Sequence, residues 1–193
     1  MTTSETSLRE KILLTAKSLF IQQGYHGLAM RQISEAVGVS KAALYYHFKD
    51  KEELFLAILD IYLNEIESAI DDIQSKRPSS SEQLRMFVEY ILSQPAEQRA
   101  VMRLGSQEMA QLSASSRKSF GKVYREKFIG KLIAIFQAGI ESGELKSLNA
   151  EVATWALLGI MYPYFYPAHT GDKPVPANVI EEIVTIFLMG IEK

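Results

Sequence analysis

The segment from Ile33 to Lys51, ISEAVGVSKAALYYHFKDK, constrains this chain more than any other, because it sets two short helical periods on either side of a Gly-Val-Ser turn. Ile33, Val37, Val39, Leu44 and Phe48 recur so that both helices turn an apolar side toward one small core. Arg31, Lys41, Tyr45 and His47 are left less constrained by packing. Gly38 is suited to the positive φ that commonly follows a helix end, and Ser40 can cap the next helix through its hydroxyl. In Asp50-Lys51-Glu52-Glu53 an N-cap acid stands at the capping-box distance from a Glu, so a third helix starts at once. The pattern is a helix-turn-helix, whose second helix can lie in the major groove of DNA while the first crosses the backbone.

Upstream, Ser7-Leu8-Arg9-Glu10 is a further capping-box pattern. Leu8, Ile12, Ala16, Leu19 and Phe20 follow at helical spacing until Gly24 stops the run. The first fifty residues therefore read as a three-helix head. The charge is divided: through Lys51 there are seven basic and four acidic residues, a net of +3, and the remaining fourteen basic and nineteen acidic residues give −5. A positive head on an acidic body favours site-limited binding to DNA through counterion release over non-specific coating.

Gly24-Tyr25, Ile33, Ala36-Val37-Gly38-Val39-Ser40, Leu44-Tyr45-Tyr46-His47-Phe48 and Lys51 together resemble the TetR family of transcriptional repressors. The resemblance covers about a quarter of the chain and is far more specific than a three-letter motif. It implies that Lys41 and Ala42 enter the major groove and that Tyr45, Tyr46 and His47 meet phosphates or base edges. Lys51, on the next helix, is expected to contact the DNA backbone. Lys can address guanine or phosphate, a small residue permits close approach, and Tyr hydroxyls donate to phosphate oxygens. Ser40, opening the second helix of the pair, belongs to the same candidate face. Family members often carry Thr or Ser where this chain has Leu28-Ala29-Met30, a departure for which Arg31 can substitute. Against DNA contact stands packing: Leu44, Phe48 and Tyr25 read as core residues of the head.

At 193 residues and 47% hydrophobic content the chain can bury a second core beyond the head. Helical periodicity continues almost throughout. Phe55, Leu59, Tyr62, Ile66, Ala69 and Ile73 mark a long helix ending near Pro78. Leu84, Phe87, Val88 and Ile91 mark another that stops before Pro95, and Val101, Met102, Gly105 and Met109 a third. Phe120, Tyr124, Phe128, Leu132, Phe136 and Gly139 mark a longer one closed by Ser142-Gly143. The expected fold is all-α, with a helix-turn-helix DNA-binding domain over 1–50 and a helical ligand-binding and dimerisation domain over 51–193. Two final helices complete it. The first is capped by Asn149 and presents Ala153, Ala156 and Gly159 beside Trp155, Leu157 and Ile160. The second runs from about Ala177 with Ile180, Ile183, Val184, Phe187, Leu188 and Ile191. The resemblance implies that these two pair with their copies in a four-helix bundle, which makes a homodimer on a palindromic operator; the alternative is that both stripes are monomer core.

Met102, Met109, Phe120, Tyr124, Phe128, Trp155 and Tyr162 are candidates for an apolar ligand cavity, with Arg103 or Glu108 as polar anchor, although Met and aromatic stripes fill interiors by default. Pro163 is placed to distort its helix and open a mouth beside Tyr164, Phe165 and Tyr166. The resemblance implies a ligand-gated repressor, released from DNA by a small apolar or amphipathic effector that tilts the fourth helix. No cofactor is implied. Catalysis is not expected: His26, His47 and His169 are scattered, no His-Glu-x-x-His or Gly-x-Ser-x-Gly motif occurs, and Asp71-Asp72 and Glu181-Glu182 read as solvated helix faces. His169 and Asp172 form at most a weak metal pair. A helical interaction module that never touches DNA is the third class. The chain has no cysteine. Its first residues lack the basic and apolar regions of a signal peptide, and its longest apolar run, Trp155 to Ala168, holds two prolines and falls short of the ~18 residues of a span. A cytoplasmic protein is expected.

Overall fold

The computed structural model describes residues 7–171 and 173–192. Eleven α-helical segments are described: α1 (Leu8–Gly27), α2 (Met30–Val37), α3 (Lys41–His47), α4 (Lys51–Ser75), α5 (Ser80–Leu92), α6 (Ala96–Glu108), α7 (Ala114–Tyr124), α8 (Gly130–Glu141), α9 (Ala150–Met161), α10 (Pro167–Thr170) and α11 (Ala177–Ile191). A single antiparallel bridge between Leu145 and Glu192 is the only β pairing among the described residues. No described helix is long and apolar enough to cross a membrane.

The helix starts follow local chemistry. Ser7 and Glu10 close both arms of a capping box. The Ser40 hydroxyl accepts the Ala43 N–H at 3.1 Å, and the Asp50 carboxylate accepts the Glu53 N–H at 2.7 Å. The Asn149 side chain accepts the Val152 N–H at 3.0 Å. Each of these bonds satisfies one of the donors a helix leaves without a partner. Gly38 ends α2 at φ 78°, in the left-handed region. Gly24, at φ 71°, breaks α1 without ending it, and one more turn carries Tyr25 back into the core.

Two hydrophobic cores result. One gathers Ile12, Ala16, Phe20, Tyr25, Ile33, Leu44 and Phe48 of α1–α3 with Leu54, Phe55, Ile58 and Leu59 of α4, and Val101 and Leu104 of α6 close it from the body side. The other gathers Leu63, Ile66, Ile70 and Ile73 of α4 with apolar residues of α5, α8, α9 and α11. The stripe read as one helix lying along others thus serves both cores in turn. The helix expected from Phe120 to Gly139 is divided: α7 passes into α8 through a π-helical turn at Arg125–Ile129. Such a turn widens the helix by one residue. α9 gives way to a 3₁₀ turn, Tyr162–Phe165, at Pro163, whose missing N–H cannot continue the α ladder. The buried Arg99 holds the segment that follows, donating to the carbonyls of Tyr164 and Lys173 at 3.2 and 2.7 Å.

Gly139 lies where α8 meets the start of α5: a Cβ built there stands 2.6 Å from Leu145 Cδ1 and 2.7 Å from Ser80 Cβ. Gly139→Ala should therefore lose about 1–2 kcal/mol of stability, overpacking outweighing the helix-propensity gain of about 1 kcal/mol. Urea denaturation of the intact protein measures it.

Candidate nucleic-acid interface and cavity

α3 divides its side chains sharply. Leu44 and, just past the helix end, Phe48 are buried, while Ser40, Lys41, Ala42, Tyr45 and Tyr46 are exposed, Tyr46 at 86%. The Lys41 ammonium sits over the Tyr45 ring at 5.6 Å from its centroid, and the half-buried His47 meets the Tyr46 ring edge-on at 5.3 Å. Arg31, on α2, is exposed and leans toward Glu35 at 3.5 Å. α2 lacks a hydroxyl cap: the Ala29 N–H is satisfied instead by the Gln32 side chain at 2.8 Å. Arg31, Ser40, Lys41, Ala42, Tyr45 and Tyr46 are thus exposed on the head, and His47 is half-buried.

Lys51 is employed differently from the sequence expectation. Its ammonium turns inward, donating to the carbonyls of Tyr25 and Leu28 at 2.6 and 2.8 Å and lying 4.3 Å from the Tyr25 ring centroid. Burial draws its pKa below the usual lysine range, with Glu108 acting the other way. This clamp ties the α1–α2 turn to the first turn of α4. Spacing could not reveal it, because both acceptors lie more than twenty residues upstream.

Behind the head, α4, α6, α7 and α9 enclose a cavity of about 660 Å³, within the range of ~300–1,000 Å³ for small-molecule sites. Met102, Met109, Phe120, Tyr124, Phe128, Trp155 and Tyr162 are brought together on its wall. Arg103 and Glu108 are not part of it. The Arg103 guanidinium donates to the Phe165 carbonyl and stacks on Tyr166, and Glu108 faces the head beside Gly24. Sequence reasoning missed Leu59, Tyr62, Leu63 and Ile66, the α4 face of the wall, together with Ser106 and Arg117. The signal was present in Tyr62, a hydroxyl within an otherwise wholly apolar stripe. Burial pushes the Tyr124 phenol up to about 12 and Tyr62 higher still, so both stay protonated. The suggested pairing of His169 with Asp172 falls on Asp172, which lies outside the described residues.

A polar joint connects the head to the cavity wall. The Glu52 carboxylate accepts from the Ser113 N–H at 2.9 Å, from the Ser113 hydroxyl at 2.7 Å and from the Ser116 hydroxyl, all at the start of α7. Hydrogen bonds from Ser116 and then Ser113 hold the Glu52 pKa below the usual carboxylate range. The joint is thus fully ionised above that range and is lost only as pH falls through the lowered value. His26 Nε2 meets Gln111 Oε1 at 2.7 Å, and Lys17 pairs with Glu97 at 3.1 Å.

Known proteins share both parts. Residues 12–58 match the family description "Bacterial regulatory proteins, tetR family", and residues 77–163 match "Tetracyclin repressor-like, C-terminal domain". The chain is 31% identical over 174 residues to the probable HTH-type transcriptional regulator YttP of Bacillus subtilis, covering 87% of this chain and 82% of YttP. It is 28% identical over 194 residues to the HTH-type transcriptional regulator QacR of Staphylococcus aureus, covering 97% of this chain and 100% of QacR. The match to the HTH-type transcriptional activator FasR of Mycolicibacterium smegmatis, 35% over 81 residues, takes in 42% of this chain and only 37% of FasR. A solved structure of AibR in complex with isovaleryl coenzyme A and operator DNA has the same fold, with a TM-score of 0.76 at 24% identity over 95% of this chain and 97% of that one. The chain belongs to the TetR family of bacterial transcriptional regulators.

If the Lys51 clamp is structural, Lys51→Met should remove about 1–3 kcal/mol of stability, the worth of hydrogen bonds from a charged donor to partly buried carbonyls. A residue serving only as a phosphate ligand would leave the urea midpoint unchanged.

Proposed function

We propose that the protein is a cytoplasmic, non-catalytic repressor that binds a palindromic operator as a homodimer and is released by a small apolar or amphipathic effector. The division of α3 carries this reading: its buried residues anchor the helix, and its outer side presents a cation, a small residue and two phenols without obstruction. Residues 1–50 act as the DNA reader and residues 51–193 as sensor and dimerisation unit. Lys41 and Ala42 enter the major groove, Tyr45, Tyr46 and His47 meet phosphates or base edges, and Ser40 and Arg31 flank them on the backbone.

Dimerisation falls to α9 and α11. Val152 on α9 and Ile186 and Met189 on α11 stay exposed although the monomer has cores available to cover such residues. Single exposed apolar residues are ordinary, but a set on two adjacent helices marks a contact face. A two-fold pair holds two copies of α3 at a fixed distance, which requires a palindromic site. AibR, whose solved complex contains both isovaleryl coenzyme A and operator DNA, supports a fold able to serve both partners.

Effector binding acts through the cavity, where Met102, Met109, Phe120, Tyr124, Phe128, Trp155 and Tyr162 receive the ligand. Arg103 and Glu108 take no part in it. Only a ligand that prefers the non-DNA-binding arrangement shifts the balance, and a coupling of about 1–3 kcal/mol relieves repression. By reciprocity, operator DNA weakens the effector to the same degree.

Selection of bound fragments from random DNA should yield inverted half-sites. Lys41→Ala and Tyr45→Ala should each weaken binding to the selected duplex by about 5- to 30-fold, with circular dichroism and dimer mass unchanged. Unchanged affinity in both variants would assign α3 another role. Glu52→Gln, which keeps the shape of the joint and removes its charge, should leave the fold intact and shrink the effector-induced loss of operator affinity several-fold in a fluorescence anisotropy titration.

A further inference from the structure

The cavity wall carries few polar groups, and they are of one kind. Its oxygen donors are the hydroxyls of Tyr62, Tyr124, Tyr162 and Ser106, no carboxylate lies among its described lining residues, and its one formal charge is Arg117. Most of these groups are already engaged. The Tyr162 hydroxyl pairs with the Tyr166 hydroxyl at 2.9 Å and donates to the Ser106 hydroxyl at 3.4 Å. The Arg117 Nη1 donates to the carbonyls of Ala110 and Leu112 at 3.2 and 2.6 Å, in the turn that follows α6. The Tyr62 hydroxyl is different: it is wholly buried and has no hydrogen-bond partner. A buried polar group without a partner is uncommon enough in native structures to require an explanation, and a bound ligand is one.

The surroundings then select among ligands. A cation entering this space meets no counter-charge and one like charge, so aromatic faces alone must hold it. A carboxylate finds its one counter-charge in Arg117, whose Nη1 already serves two carbonyls, and elsewhere on the wall only hydroxyls, which is too little to replace its water. A hydrocarbon fills the apolar wall but leaves Tyr62 unpaired. Resting on the reading of this cavity as the effector site, we propose that it takes a neutral apolar molecule bearing one hydrogen-bond acceptor, a ketone or ester carbonyl, which accepts the Tyr62 hydroxyl. Tyr62 is then a specificity-determining residue: it distinguishes a carbonyl compound from the hydrocarbon of the same skeleton, a discrimination that apolar packing alone does not provide.

The chain's one tryptophan, Trp155, lines the same cavity and reports its occupation. Tryptophan fluorescence of the full-length protein is titrated with octan-2-one, octane, octanoate and octyltrimethylammonium, for the natural chain and for Tyr62→Phe. The ketone should bind about tenfold more tightly than the other three, and Tyr62→Phe should weaken it about five- to tenfold while leaving octane within about twofold. Removing the unpaired hydroxyl should also leave the ligand-free melting temperature unchanged or raised, which separates lost recognition from lost folding. Tightest binding by the cation or the carboxylate overturns the proposal. So does a Tyr62→Phe variant that weakens ketone and octane alike, or neither. If none of the four probes alters Trp155 emission or releases selected operator DNA, the effector cavity itself is refuted, a result distinguishable from a wrong choice of ligand class.

Discussion

One helix belongs to two cores, and the behaviour of the molecule rests on that sharing. The 25 residues of α4 span about 37 Å at the ordinary rise per residue. Leu54, Phe55, Ile58 and Leu59 are buried with the head, and Leu63, Ile66, Ile70 and Ile73 with the body. Interiors packed to this density do not deform gradually; they shift between discrete arrangements. A rod embedded at both ends therefore moves as a unit. Displacement at Ile66 is felt at Leu54, and the Lys51 clamp passes it to the α1–α2 turn.

Local signals were legible in the sequence because the physics behind them is local. Ser7, Ser40, Asp50 and Asn149 each cap a helix within three residues of themselves, and Gly38 needs only its own backbone angle. The outward side of α3 was readable for the same reason: Leu44 and Phe48 are four residues apart, so one face is buried and its opposite is free. What escaped was relational. Lys51 has acceptors more than twenty residues away, Arg103 and Glu108 point off the cavity because of how α6 is rotated, and the α4 stripe changes core midway without any change in its period. The π turn between α7 and α8 also left no pattern to read, although Gly130 is explicable afterwards: a Cβ there stands 2.9 Å from the Arg125 carbonyl oxygen.

The division of charge acquires a structural meaning in this arrangement. The basic residues of the outer head face, Arg31 and Lys41, make only a solvent-exposed ion pair and a ring contact. Interactions of that kind are worth at most about 1 kcal/mol and are easily exchanged for phosphate. Four basic residues of the body are instead paired across helices: Lys127 with Asp60 and Glu67, Lys131 with Glu67 and Asp71, Arg85 with Glu181, Arg125 with Glu151. Cations engaged in this way add little to attraction for a polyanion. The uneven disposition of charge favours the head as the end that a polyanion approaches, despite a net charge of −2.

The same pairs frame the cavity mechanically. α4 and the α7–α8 segment are joined at one end by Glu52 with Ser113 and Ser116, and at the other by Lys127 and Lys131 with the acids of α4. Leu59, Tyr62, Leu63 and Ile66 face Phe120, Tyr124 and Phe128 between these joints. A ligand that enters this space acts on the separation of the two segments and so loads both ends. The far end is held by several ion pairs and by the larger body core; the near end is held by one carboxylate and by the smaller core that α4 shares with the head. Strain is relieved where the least structure must be rearranged, and the smaller core lies at the near end. An apolar molecule that makes no contact with DNA can therefore reposition the helix that reads it.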